Sequence, residues 1–234
     1  MDDIEVLAAE LRAALAPDRV RTEGVELGLY GRDASVMTGA AAVVCFPVTT
    51  DEVADAIRIA RRHGRPFVAR GSGTGLAGGA VPVGDPVVIV TTKMDRILEV
   101  DPVDRVAWVQ PGVINLDLTR ALADHRLHFA PDPSSQQACT IGGNVANNSG
   151  GPHCLAYGVT SAHVLALEIV LPDGSVCLLG GLDAEPTGLD LRGVFVGSEG
   201  TLGIATRIAV RLTPDPPAVA TLLLDFASVD DAAE

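Results

Sequence analysis

Phe67-Val68-Ala69-Arg70-Gly71-Ser72-Gly73-Thr74-Gly75-Leu76-Ala77-Gly78-Gly79 sets a glycine-rich turn directly after a short apolar strand. Gly73, Gly75 and Gly78 satisfy G-x-G-x-x-G, a spacing that serves a dinucleotide in a Rossmann unit only where a helix opens at its end. The residues that follow, Ala80-Val81-Pro82-Val83-Gly84-Asp85-Pro86, carry prolines and no helical apolar period, so no helix is predicted there. That counts heavily against an NAD-dependent Rossmann enzyme. The turn can still hold a diphosphate with its own backbone N–H groups, as an anion-binding nest. Small residues let the backbone come close, and Ser72 and Thr74 add hydroxyl donors. Arg70 is placed either to pair with phosphate or to brace the turn. A second glycine-rich stretch, Thr140-Ile141-Gly142-Gly143-Asn144-Val145-Ala146-Asn147-Asn148-Ser149-Gly150-Gly151, reads as another nest-like loop. Two such loops separated by strands point to a large, extended, anionic ligand.

The elements that must position these loops can be read from pattern. Ile4 to Leu15 is an amphipathic helix ending before Pro17. Ala42 to Phe46 is a buried strand. A helix then starts at a capping box of Thr49 and Glu52, buries Val53, Ala54, Ile57 and Ala60, and ends on basic residues and Gly64. With Phe67 to Ala69 this makes a β-α-β unit whose second strand delivers the first glycine loop. Val87 to Val90 is a further strand. Ile97 to Val100 and Arg105 to Gln110 form a hairpin, Leu116 to Ala123 a short helix, and Val164 to Leu171 with Ser175 to Leu179 a hairpin about Pro172-Asp173-Gly174. Gly203 to Leu212 is a long strand. Thr221 to Phe226 is predicted as a strand, with Ser228 and Asp231 as a helix start. The first part is therefore α/β and the later part mainly antiparallel β.

Composition narrows the function classes. The 234 residues carry 17 basic and 30 acidic side chains, a net charge of −13, which argues against nucleic acid and anionic membrane surfaces as partners. Any anionic ligand must be held by local donors against that field. No window reaches the roughly 18 apolar residues of a membrane span. Cys45, Cys139, Cys154 and Cys177 stand far apart with no C-x-x-C, so no metal site is expected and the thiols read as reduced.

Six ordered stretches together resemble the FAD-linked oxidases with a p-cresol methylhydroxylase-type FAD-binding domain, the vanillyl-alcohol oxidase superfamily. They are Val44-Cys45-Phe46-Pro47 with Thr50-Asp51-Glu52-Val53; Arg70 to Gly79; Val109-Gln110-Pro111-Gly112-Val113; and Ala130-Pro131-Asp132-Pro133-Ser134-Ser135. After these come the 140–151 stretch with Tyr157-Gly158, and Gly197-Ser198-Glu199-Gly200-Thr201-Leu202-Gly203-Ile204. Within the superfamily the text is most similar to FAD subunits of glycolate oxidases, then to D-lactate and D-2-hydroxyglutarate dehydrogenases.

The resemblance implies an α+β fold of two subdomains, residues 1–105 with a small β-α-β sheet and 106–217 with a mainly antiparallel sheet. Residues 218–234 are expected to begin a C-terminal cap domain that the chain does not include. It implies FAD contacts from Pro47; Arg70, Gly71, Ser72, Gly73, Thr74, Gly75 and Leu76; and Pro131, Asp132, Ser134 and Ser135. Further contacts are implied from Ile141, Gly142, Gly143, Asn144, Asn147, Asn148, Ser149 and Gly150; from Tyr157 and Gly158; and from Glu199, Gly200 and Ile204. The asparagine amides and the Ser149 hydroxyl suit ribityl or ring heteroatoms, and Glu199 is either a buried acid or a loop brace. Some members tether FAD through a histidine that aligns with Thr74; threonine cannot form that link, so FAD is expected to be noncovalent. His153-Cys154 reads as structural rather than as a ligand or tether. The implied reaction is oxidation of a small 2-hydroxy acid with hydride transfer to flavin N5; no catalytic base can be named. An electron-accepting partner subunit and a cytoplasmic location, with peripheral membrane attachment through such partners, complete the expectation. The other reading is a non-catalytic FAD-binding module that needs a separate cap or partner chain.

Overall fold

The computed structural model describes residues 3–182 and 188–233. Its helices are α1 (Asp3–Leu15), α2 (Gly24–Leu29), α3 (Thr50–Arg62), α4 (Asn115–Ala121), α5 (Ile141–Asn147), α6 (Cys154–Tyr157), α7 (Leu191–Phe195) and α8 (Val229–Ala233). The strands of the first sheet are β1 (Val20–Arg21), β2 (Val43–Cys45), β3 (Phe67–Arg70) and β4 (Val87–Val90), in the order β1-β2-β4-β3. The second sheet holds β5 (Ile97–Asp101), β6 (Val106–Val109), β8 (Val164–Val170), β9 (Val176–Gly180) and β10 (Ile204–Arg211), in the order β5-β6-β10-β8-β9. A short pair joins β7 (Leu127–His128) to β11 (Thr213–Pro214).

The first sheet is parallel where it matters. Both β2 and β3 run alongside β4, which fills the gap left by the crossover through α3. Because β4 is covered on both faces, Val87, Val88, Ile89 and Val90 are all buried, as continuous apolar strands are. Helices α1 and α3 bury Leu7, Leu11, Val53 and Ile57 against one face. Tyr30 and Phe46 pack edge to face over the other, with ring centroids 5.5 Å apart. The second sheet is antiparallel throughout, and its core joins Ile208 and Leu167 to Leu118, Leu122, Phe129 and Ile141 from the helical side. The turn at residue 105 joins β5 and β6 inside this second sheet. We therefore propose that the division between subdomains falls before Ile97 rather than at 105.

The start of α3 shows how the sequence signal becomes structure. Thr49 caps it by accepting the Glu52 N–H at 3.2 Å. Glu52 does not close the box on Thr49; its carboxylate takes the Val48 N–H at 2.7 Å and Arg19 at 2.7 Å. The cap thereby ties the chain before β1 to the helix. Cys45, beside it in β2, is fully enclosed, and burial followed by the Glu52 charge pushes its thiol up to about 12.

Two expectations fail. The 140–151 stretch is not a loop: residues 141–147 form α5, with Thr140 as its cap accepting the Gly143 N–H at 3.2 Å. Two adjacent glycines weaken a helix, but burial of Ile141 and Val145 outweighs that. Thr221 to Phe226 is irregular and exposed rather than a strand, since no neighbouring strand offers it a ladder. The Ser228 start does form, with the Asp231 N–H on its hydroxyl at 3.1 Å.

Glu52→Ala should lower unfolding stability by about 1–3 kcal/mol, because a partly buried guanidinium and an N–H lose their acceptor together. Urea titration checks this; a midpoint equal to wild type would show that the Glu52 bonds contribute nothing.

Candidate cofactor site

The first glycine turn leaves β3 and folds over its own last residue. Arg70 is 8% exposed, its Nη1 donates to the Ala80 carbonyl at 3.3 Å, and its guanidinium lies 5.5 Å from the centre of the Tyr30 ring. Gly73, at φ +74°, sits directly above: a Cβ there would fall 2.2 Å from Arg70 Nη2. Arg70 thus braces the turn from beneath. From Ser72 to Ala77 no backbone N–H donates to a carbonyl among the described residues. Neighbouring side-chain bonds go elsewhere: Asp33 to Ser35, Arg70 to Ala80, Thr140 to Gly143. The turn is exposed or half-buried, so these N–H groups face the solvent side and are free to meet a ligand.

These donors line a cavity of about 450 Å³, within the usual size range of small-molecule sites. The opposite wall comes from the second subdomain: α5, Ser134 and Ser135, Phe195, Glu199 and Gly200, and the start of β10. The walls touch where a Cβ on Gly71 would lie 2.5 Å from Thr140 Oγ1. Seventeen of the residues expected at the cofactor line the cavity: Arg70 through Leu76, Ser134, Ser135, Gly142, Gly143, Asn144, Asn147, Ser149, Glu199, Gly200 and Ile204. Pro47, Pro131, Asp132, Ile141, Asn148, Gly150, Tyr157 and Gly158 do not.

Several side chains are engaged within the protein. Asn144 accepts from Asn115 Nδ2 at 2.9 Å and donates to Cys139 Sγ at 3.4 Å. Asn147 donates to the Gly143 carbonyl at 2.9 Å, and Asn148 Oδ1 accepts the Ser161 N–H at 2.8 Å. Asn144 and Asn148 thus tie α5 to its surroundings, and Asn147 bonds back along the helix. The first N–H groups of α5 are likewise taken, by Val113, Pro111 and Thr140. Asp132 pairs with His153 Nδ1 at 2.5 Å, which clasps the 131–135 segment to the 149–153 segment and gives His153 a structural partner. Glu199 is exposed, not a buried acid; the bracing comes from its backbone, whose N–H donates to Ala146 at 2.8 Å. Burial holds His163 below its usual pKa, and its Nε2 meets the Tyr157 carbonyl at 2.9 Å, fixing that turn.

The pattern of glycines is also informative. Gly142 lies against Pro111, where a Cβ would meet Pro111 Cβ at 2.6 Å, so it serves packing. A Cβ on Gly143 would lie 3.3 Å from Thr140 Oγ1, a tight contact in which the capping hydroxyl must give way slightly. The lining residues not foreseen are chiefly Asp33, Thr91, Pro111 and Thr140. Thr140 and Pro111 lay inside stretches already singled out, whereas Asp33 carried only the turn signature Asp33-Ala34-Ser35.

Paired sheets clasping a donor-lined cleft define a flavin-binding module, and comparison with known proteins gives the same class. A family model described as an FAD binding domain matches residues 41–180. The chain belongs to that family. It is 46% identical over 190 residues to glycolate oxidase subunit GlcD of Escherichia coli K12, covering 81% of this chain and 38% of that protein. It is 40% identical over 191 residues to a D-lactate dehydrogenase of Archaeoglobus fulgidus, covering 81% and 43%. The chain thus spans about two-fifths of the length of these relatives. Among solved structures, p-cresol methylhydroxylase with bound substrate superposes with a TM-score of 0.77 at 22% identity, covering 92% of this chain and 44% of that one. A 4-ethylphenol oxidase from Gulosibacter chungangensis gives 0.79 at 26% identity, covering 93% and 44%. The fold is the p-cresol methylhydroxylase-type FAD-binding fold. The cofactor is FAD, and with Thr74 in the turn it is held noncovalently. Among the described residues no helix is long and apolar enough to cross a membrane.

Gly73→Ala should weaken FAD binding about tenfold or more, from positive-φ strain and collision with Arg70, while leaving the circular dichroism spectrum unchanged. Full occupancy would show that the turn does not need its close approach. Acid precipitation should release all flavin to the supernatant; colour retained in the pellet would reveal a covalent tether.

Proposed function

We propose that this chain is the FAD-binding part of a flavin-dependent oxidoreductase that oxidises a small 2-hydroxy acid of the glycolate or D-lactate type. The observation that carries the reading is the 46% identity to a glycolate oxidase subunit across 81% of the chain. The 40% identity to a D-lactate dehydrogenase points to the same substrate class. Ser72–Ala77 would hold the diphosphate through backbone N–H groups, with the Ser72 and Thr74 hydroxyls beside them. Bound FAD supplies the two-electron acceptor that no side chain provides. Phe195, Ile204 and Ala205 give one wall an apolar lining that keeps water from the cofactor. Ser134 and Ser135 supply hydroxyls at the end of the rigid Pro131–Pro133 segment. The remaining contacts expected from sequence, including Pro47, Tyr157 and Gly158, belong to this proposal.

An electron-accepting partner subunit is part of the reading, since the glycolate oxidase relative is itself a subunit. A second reading, an FAD-binding module that depends on another domain or chain for catalysis, is favoured by the exposure of the cradle. Leu76, on the turn itself, is 78% exposed.

Anaerobic addition of hydroxy acids to the FAD-loaded chain separates the two. Bleaching of the flavin absorption by glycolate or D-lactate, but not by 4-ethylphenol or NADH, is expected for the first. Reduction by dithionite alone would assign the chain to the second. Reduction by NADH or the phenol would overturn the substrate class.

A further inference from the structure

Arg70 is a buried cation held by the Tyr30 ring and one hydrogen bond, with no carboxylate of the described residues in ion-pair contact. Its hydrogen bond among the described residues is the 3.3 Å contact to Ala80, and burial lowers its pKa from the ordinary value. The acid nearest in effect is Asp33, 9% exposed and lining the same cavity. Asp33 does not form an ion pair with it. Its Oδ1 takes the Ser35 N–H at 2.8 Å, and the Gly78 N–H also points to the carboxylate. Its Oδ2 is buried with no partner. The Ala34 N–H donates to the Gly75 carbonyl at 3.1 Å, so the Asp33 turn is stitched to the glycine turn at both ends. Burial pushes the Asp33 carboxyl up, but the Ser35 and Gly78 bonds and the Arg70 charge outweigh it, leaving the group below its usual range.

A buried cation without a counter-charge is strongly destabilising. A diphosphate seated in the turn would bring negative charge directly above the guanidinium, on the far side of Gly73. The Asp33 charge is then a like charge lining the same cavity as the ligand, and because Asp33 is itself buried its field is screened less than a surface carboxylate's.

We propose that Asp33 is a resident counter-charge for Arg70, which keeps the cradle formed before the cofactor arrives and weakens its grip on the diphosphate afterwards. The proposal rests on FAD as ligand. It makes Asp33 a positioning residue with an unusual sign: it supports the fold and opposes binding.

Asp33→Asn keeps an oxygen for the Ser35 and Gly78 N–H groups and removes only the charge. Without ligand, its melting temperature should fall below wild type. Titrated by flavin fluorescence, it should bind FAD about fivefold more tightly, the scale of one like charge removed from a part-buried site. Inorganic pyrophosphate alone should show the same gain. FAD or pyrophosphate binding that is unchanged or weaker in Asp33→Asn would overturn the proposal and leave Asp33 a hydrogen-bonding brace. A wild-type chain that binds pyrophosphate but not FAD would sink the cofactor reading while leaving the Asp33 test intact. Should Asp33→Asn fail to fold alone, refolding with pyrophosphate decides: recovery supports the counter-charge, and no recovery refutes it.

Discussion

Backbone donors without acceptors govern this structure. The Ser72–Ala77 turn presents six backbone N–H groups in succession that no carbonyl of the described residues takes, on residues that are exposed or half-buried. Such a turn persists only because something beneath fixes its path. Here that support is Arg70, pressed between the Tyr30 ring and Gly73. The parallel strands deliver Arg70 to that point: β4 on one side of β3 sets its register, and Thr91 Oγ1 donates to the Arg70 carbonyl at 3.3 Å. The first subdomain can thus be understood as a mount for one turn.

The second subdomain supplies the facing wall through helix packing rather than a second nest. α5 seats on the sheet through Ile141 and Val145, and its amides point inward or along its own axis. The two halves then share the work unequally. The glycine turn offers donors, whereas α5 and the Gly197–Gly200 turn offer shape. The ties between them are polar as well as apolar: Glu168 accepts from Thr50 at 2.7 Å, and Arg58 donates to the Gly174 carbonyl.

Local signals in the sequence reported local structure faithfully. Thr49 and Gly64 bounded α3, and Pro172-Asp173-Gly174 turned β8 into β9, because in each the deciding contacts lie within a few residues. The glycine turn was legible for the same reason, since prolines forbid the helix that a Rossmann site needs. What was not legible depends on distant partners. Gly142-Gly143 reads as loop until Pro111 is seen to accept the Gly142 N–H and Val113 that of Ile141. Thr221–Phe226 has strand composition but no strand beside it. Asp33 acquires meaning only with Arg70, thirty-seven positions away, and the bonds that the asparagines make to Asn115, Gly143 and Ser161 had no local signal.

The Glu168 junction has a mechanical consequence. The Glu168 carboxylate is held in place within the second sheet by Thr206 and by Arg207, 3.6 Å from its second oxygen, and from that fixed position takes the Thr50 hydroxyl of α3. A held acceptor of this kind restrains the two halves of the cleft against sliding at that point. A molecule as long as a dinucleotide must be threaded in along the open side, with the glycine turn as the compliant lip. Entry of such a ligand then calls on the few backbone units of that lip, which Arg70 supports from below.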